Sequence, residues 1–320
     1  MLVLAEADLA GLLSPQQTIK AVEAALFAQV ANRVQVPERT HVDWAGNTLL
    51  TMPAVGERSL GVKLVSVVQG NAVRGLPVTG GLMVLNDAET GLPLAIMNAG
   101  ALTARRTGAV GALGAKYLTP PIIDRIGIIG CGVQAAWQAI FACAVRPIRH
   151  VQCFSRSWDR YEKFAATVRQ HVPAVLLSPC QDVRQLLAQA DLIVAATTSS
   201  QPVVPDESSL LRNKHFVSVG SFKPTMQELP DGVYGMAGSV AVDSEHARHE
   251  VGDIINPIRR GIVKESDIFS IAECVTGKRV VDTNRTTAYK TVGAAMYDLY
   301  VAEAFYRAAV SRSVGHEVTL

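Results

Sequence analysis

The sequence predicts an α/β protein: a doubly wound parallel sheet joined to a smaller α+β domain built from both chain ends. Three observations carry this expectation. Short apolar strands alternate with helical stretches between Ile126 and Asp243, the pattern of a parallel sheet wrapped by helices. Ahead of them, residues 48–97 read as successive strands with no helix between, which describes a sheet of its own. At 320 residues the chain also exceeds what one core usually serves.

Taken in order, Ser14-Pro-Gln-Gln17 is an N-cap, a proline at the first helical position and a glutamine three residues after the cap. Ile19, Val22, Leu26, Phe27 and Val30 then recur at helical spacing. Strands follow at Thr48 to Met52, Gly61 to Val68, Leu82 to Leu85 and Leu94 to Met97, the last two joined by the turn Asn86-Asp-Ala-Glu-Thr-Gly91. Thr103 to Tyr117 has helical spacing but carries Gly108, Gly111 and Gly114, each costing about 1 kcal/mol against alanine. Such a small-residue face implies close contact with a neighbour.

Thr119-Pro-Pro121 breaks that helix and marks the expected boundary: a first domain over 1–117, a second over 118–294, with 295–320 returning to complete the first. The second domain's strands are expected near Ile126 to Ile129, Val151 to Phe154, Val175 to Leu177, Leu192 to Ala196, Phe216 to Gly220 and Val240 to Asp243, with a helix from Val133 to about Ala144. After Thr286 an amphipathic helix carrying Val292, Met296, Leu299, Phe305 and Tyr306 is expected to run to about Ser311.

Composition narrows the function classes. A net charge of +2 and the lack of a basic stripe argue against nucleic acid as partner. No run approaches the eighteen or so apolar residues of a membrane span, and acids stand where a signal peptide has bases, so no membrane partner and a cytoplasmic location are expected. Five cysteines without C-x-x-C spacing suggest neither a disulfide frame nor a zinc site. His246-Ala-Arg-His-Glu250 has the look of a metal cluster but lacks a third ligand at matching spacing, so no metal is expected.

The chemistry-bearing signal is Arg125-Ile-Gly-Ile-Ile-Gly-Cys-Gly-Val-Gln-Ala135, an apolar strand that ends in a glycine turn and opens a helix. Gly130 makes the turn, Gly132 lets backbone N–H groups approach phosphates, Val133 and Gln134 begin the helix, and Ala135 permits close packing. That is the pyrophosphate cradle of a Rossmann domain. The next strand ends Cys153-Phe-Ser-Arg-Ser157 without the acid that reads a ribose 2′-hydroxyl. Ser155 and Arg156 suit a 2′-phosphate, so NADPH is expected, with NADH as the alternative. Thr197, at the carboxyl end of the fourth strand, is a further cofactor contact candidate. Lys63 stands out as a lone charge in an apolar strand.

Thr51-Met-Pro-Ala54, Gly61-Val-Lys-Leu-Val65, Leu102-Thr-Ala-Arg-Arg-Thr-Gly-Ala109, the glycine turn and Val219-Gly-Ser221 together resemble the ornithine cyclodeaminase/mu-crystallin family over nearly the whole chain. The resemblance implies a homodimer in which the first domain binds substrate and dimerises. It implies that Arg39, Lys63 and Arg106 grip the carboxylate of a small imino or amino acid, with Lys63 near the reacting centre. Arg105 and Arg106 point about 100° apart on a helix, and the resemblance selects Arg106. It further implies cofactor contacts from Thr79, Arg106, Thr107, Val219, Gly220, Ser221 and Thr291.

In the cyclodeaminases the segment after Val219-Gly220 carries a proton-handling aspartate; here Phe222 stands in that place. Phenylalanine accepts no proton, and as an apolar wall for ring methylenes it suits the ketimine reductases of the family. The expected reaction is NADPH-dependent reduction of cyclic 2-imino acids: Δ1-pyrroline-2-carboxylate to L-proline and Δ1-piperideine-2-carboxylate to L-pipecolate. An ornithine cyclodeaminase, an alanine-dehydrogenase-like enzyme and a non-catalytic NADPH-binding crystallin remain the alternatives.

Overall fold

The computed structural model describes residues 1–319. It comprises two compact units, residues 1–106 with the chain from 294 onward, and residues 107–293. The division falls inside the Ala99–Tyr117 helix, upstream of the proline pair at which the sequence places the boundary.

The first unit contains a seven-stranded mixed sheet in the order His316–Glu317, Leu2–Leu4, Pro93–Asn98, Thr79–Asp87, Ser59–Val67, Asn47–Val55, Thr40–Trp44. Both chain ends enter it, because Leu2–Leu4 pairs with Pro93–Asn98 on one side and His316–Glu317 on the other. The Ala295–Arg312 helix packs on the Pro15–Val30 helix and on the central strands, burying Met296, Tyr297, Leu299, Val301 and Phe305. Ser14 caps the Pro15–Val30 helix as its sequence demands: its hydroxyl accepts from Gln17 N–H at 3.2 Å, and Gln17 Oε1 accepts from Ser14 N–H at 2.8 Å.

The second unit is an eight-stranded parallel sheet. Its order is Ile268–Ser270, Ser239–Val242, Thr287–Lys290, His215–Ser218, Leu192–Ala195, Arg125–Ile129, His150–Phe154, Leu176–Cys180. The chain starts at Arg125–Ile129, winds outward through two strands, then returns to Leu192–Ala195 on the other side. That reversal opens a crevice beyond the carboxyl ends of the two central strands, where doubly wound sheets bind ligands.

Two expectations are corrected. Residues after Thr286 do not begin the last helix; Thr287–Lys290 is a strand deep in the sheet, and the helix starts at Ala295. A parallel strand buried on both faces shows no alternation, and Val292 falls in helical phase with Met296 and Leu299, which extends the helical pattern across it. The helix expected from Thr103 begins at Ala99, where Asn98 Oδ1 accepts from Ala101 N–H at 2.8 Å. The short strands Leu2–Leu4, Ile268–Ser270 and His316–Glu317 carry too few residues to register as periodic.

The glycine face of Ala99–Tyr117 meets definite neighbours in the second unit. A Cβ at Gly108 would lie 2.6 Å from Phe141 Cδ2, one at Gly114 2.5 Å from Tyr289 Cδ1, and one at Gly111 would collide with the Gln138 amide. Close approach explains the unfavourable helix composition. Among the described residues no helix is long and apolar enough to cross a membrane.

Candidate functional site

In the first unit the Ser59–Val67 strand alternates buried and less buried positions, and Lys63 falls on the buried face at 2% exposure. Its ammonium donates to Asp298 Oδ2 at 2.8 Å, and Arg106 Nε donates to Asp298 Oδ1 at 2.9 Å. Arg106 is 6% exposed and Asp298 fully buried. Two buried cations thus share one carboxylate, leaving positive charge over, and half-buried Arg39 adds its field at Lys63. Burial and the Arg106 and Arg39 charges pull the Lys63 ammonium down to about 8, against the opposing pull of Asp298. The adjacent Arg105 is turned along its own helix, its Nη1 donating to Ala101 O at 3.0 Å.

Arg39, Lys63 and Arg106 therefore converge within one unit, around a residue the sequence reading did not single out. Asp298 carried a signal: it sits between Tyr297 and Leu299 on the apolar side of a helix, where an acid is costly without a partner. Thr79 opens the Thr79–Asp87 strand and is exposed.

In the second unit Gly130 has φ +106, and a Cβ there would lie 2.5 Å from Ala196 O, so glycine is required on both counts. Gly132 is the N-cap of the Val133–Val145 helix and offers no side-chain cap, while a Cβ added to it would meet nothing within 4 Å. The first N–H groups of that helix are uncapped by a side chain, and Gly132 leaves the space beside them open, the arrangement that suits a phosphate. Val133 is 68% exposed, and among the described residues the buried Gln134 Oε1 atom has no hydrogen-bond partner. These residues fit a dinucleotide pyrophosphate.

Across the crevice the side chains have other duties. Thr197 donates through N–H and Oγ1 to Glu228 Oε1 at 2.6 and 2.9 Å. Glu228 Oε2 accepts from Ser218 Oγ at 2.8 Å, Gly220 N–H at 2.7 Å and Ser221 N–H at 3.1 Å. Ser221 Oγ bonds Asp253 Oδ2, and Lys290 Nζ donates to Ser218 Oγ at 3.0 Å. Burial, with Asp253 adding to it against Lys290, raises the Glu228 carboxyl above its ordinary range. Thr197, Gly220 and Ser221 are thus held by buried Glu228, whose carboxylate fixes the loops after two adjacent strands. A Cβ at Gly220 would collide with the Thr197 backbone, and Val219 N–H extends the ladder to Ala195 O at 2.9 Å.

Thr107 is buried, its carbonyl accepting from Gln138 Nε2 at 2.9 Å. Thr291 is buried directly after the Thr287–Lys290 strand, its N–H donating to Ser218 O at 3.0 Å, and so does not open the last helix. The Ser155 hydroxyl donates to Ser157 O at 3.0 Å. Arg156 is exposed. Phe222 is 49% exposed, with Lys223 Nζ 5.6 Å from its ring centre. Among the described residues no three His, Cys, Asp or Glu side chains are grouped to hold a metal.

A phosphate cradle at the switch point of one unit and a buried cationic cluster in the other define the class: an NAD(P)H-dependent oxidoreductase. Residues 1–313 match the ornithine cyclodeaminase/mu-crystallin family, and the chain belongs to that family. It is 34% identical to a Δ1-pyrroline-2-carboxylate reductase of Bacillus cereus over 99% of both chains. Among solved structures it resembles the Thermococcus litoralis Δ1-pyrroline-2-carboxylate reductase in complex with NADH and L-proline, with a TM-score of 0.93 and 32% identity over 99% of this chain and 100% of that one. An archaeal alanine dehydrogenase dimer with bound NAD matches with a TM-score of 0.91 and 28% identity over 100% of this chain and 99% of that one.

Proposed function

We propose that this protein reduces cyclic 2-imino acids with NADPH in preference to NADH, converting Δ1-pyrroline-2-carboxylate to L-proline and Δ1-piperideine-2-carboxylate to L-pipecolate. The observation that carries this reading is the buried Lys63–Asp298–Arg106 cluster, a net positive site with an ammonium at about 8. An imino acid offers one fixed negative charge and one basic nitrogen. Arg106 and Arg39 hold the carboxylate, Arg106 oriented by Asp298.

Bound nucleotide supplies the hydride for the C=N carbon. Lys63 supplies the matching proton to the imine nitrogen and is recharged from solvent, so one hydride and one proton convert the C=N bond to CH–NH. An ammonium near 8 is charged at neutral pH yet acidic enough to release its proton, where an ordinary lysine holds it too tightly. Phe222, in the place of the cyclodeaminase aspartate, removes the carboxylate that loss of ammonia needs and leaves the redox step.

Gly130, Gly132, Val133 and Gln134 would hold the pyrophosphate, and Arg156 would meet the 2′-phosphate. The names of the two reductase relatives support the reaction, and the archaeal dimer supports a homodimer. The reading also assigns the first unit to substrate binding and dimerisation. The test is a scan of both cyclic imines, of pyruvate with ammonia, and of L-ornithine with oxidised nucleotide. Turnover of the imines without ammonia is expected. An absolute need for ammonia would move the assignment to an amino-acid dehydrogenase, release of ammonia from ornithine to a cyclodeaminase, and saturable nucleotide binding without any turnover to a binding protein.

A further inference from the structure

Two cysteines meet at the phosphate cradle. Cys131 lies inside the glycine turn, between Gly130 and Gly132, and Cys153 lies one residue before the end of the adjacent His150–Phe154 strand. Their sulfur atoms are 2.8 Å apart, and Cys153 Sγ also donates to Gly130 O at 3.3 Å. The neighbouring backbones are locked together, since Gly130 N–H donates to Phe154 O at 3.0 Å. Cys131 is partly exposed and Cys153 buried.

We infer that Cys131 and Cys153 form an oxidisable thiol pair, closed to a disulfide by hydrogen peroxide, that switches off nucleotide binding at the glycine turn. This rests on the reading of that turn as the pyrophosphate site. The two thiols have unequal roles. Hydrogen bonding from Cys153, together with the Ser155 side chain and the Arg160 charge, lowers Cys131 and favours its thiolate. Its bond to Cys131 and burial raise Cys153, which keeps its proton. Cys131 is the attacking sulfur and Cys153 the resolving one.

In the first step the Cys131 thiolate attacks one peroxide oxygen, the O–O bond breaks, and the departing hydroxide takes a proton to become water. Cys131 is left as a sulfenic acid. The Cys153 sulfur then attacks the Cys131 sulfur, the S–O bond breaks, and the second water leaves with the Cys153 proton. In sum two thiols and one peroxide give one disulfide and two waters. A small thiol reverses it by exchange at the more exposed Cys131.

Closure brings the sulfurs to a bond length of about 2.05 Å and draws the turn toward the neighbouring strand. The N–H groups around Gly132 must stand in register with a pyrophosphate, so a shift of the turn acts on them directly. By linkage, a nucleotide seated on the turn opposes closure. Cys143 and Cys274, pushed by burial up to about 12 and about 11, are poor competitors for peroxide.

The test treats the reduced full-length protein with a small molar excess of hydrogen peroxide, then reads intact mass, cysteine peptides and NADPH affinity. The expected result is a loss of two hydrogens, a Cys131–Cys153 cross-linked peptide, and NADPH affinity at least tenfold weaker. Dithiothreitol should restore binding, and NADP⁺ present during treatment should slow the loss. In Cys153→Ser, dimedone should trap a sulfenic acid at Cys131 with no cross-link, while Cys143→Ser should oxidise as the parent does. Both thiols remaining free, or a cross-link that leaves NADPH affinity unchanged, overturns the inference. If the reduced protein binds neither NADPH nor NADH, the nucleotide reading fails instead and takes the switch with it, while the mass readout still decides the thiol chemistry.

Discussion

On the proposed reading the two units solve the same problem, holding an anion, by opposite means. In the second unit the proposed pyrophosphate site is made of backbone: a glycine at φ +106, an uncapped helix start and a missing Cβ. In the first unit the proposed carboxylate site is made of side-chain charge, Lys63 and Arg106 on Asp298 with Arg39 nearby. A backbone site needs only a short contiguous string and binds through N–H groups that do not titrate. A side-chain site gathers residues far apart in the chain, must satisfy its charges before the ligand arrives, and inherits their pH dependence.

The largest test of that contrast is Asp298→Ala. It leaves two buried cations without a counterion, which costs about 3–5 kcal/mol, and should appear as a large fall in melting temperature; an unchanged melting temperature would show that the cluster is not buried in solution. Next, Lys63→Met should lower imine turnover by on the order of a hundredfold or more while nucleotide affinity stays nearly intact. Equal losses on both sides would erase the division of labour between the units.

The pH profile follows from the direction of the Lys63 shift. Its ammonium is lowered from the ordinary 10.5 to about 8, so the charged, proton-donating form is complete well below 8 and is lost as pH rises through it. Imine kcat/KM should fall about tenfold per pH unit above that point. Asp298→Asn removes a charge that raises Lys63 and should move the break to lower pH; a break that stays put assigns it to another group.

The backbone site is tested by two glycines. Gly132→Ala adds a methyl where the protein has open space, so stability should change by less than about 1 kcal/mol while nucleotide affinity falls about tenfold. Gly130→Ala instead forces alanine to a positive φ, which costs about 1–2 kcal/mol before its clash with Ala196 is counted. Smallest of all, Arg156→Ala should weaken NADPH several-fold and leave NADH almost untouched; parallel losses would remove Arg156 from 2′-phosphate recognition.

Legibility tracked the same divide. The capping box at Ser14 and Gln17, the alternation of strands and helices and the Gly130-Cys-Gly132 turn are local, each set by the conformations a few neighbouring residues can adopt, and each could be read from the string. The glycines at 108, 111 and 114 announced a close contact, but only packing supplied Phe141, Gln138 and Tyr289. The strand at Thr287–Lys290 was hidden because burial on both faces erases its period.

Within the cationic site, Lys63 was visible as a charge in an improbable place and Arg106 only through the family resemblance, while Asp298 lies 235 and 192 residues away from them. Glu228 was visible as an acid, but not as the clasp that holds Thr197, Gly220 and Ser221. Local geometry is written residue by residue, since each torsion and cap depends on near neighbours. Which buried charge meets which, and how far each is pushed from its ordinary pKa, depends on distance in space and exclusion of water, and these exist only once the chain has folded.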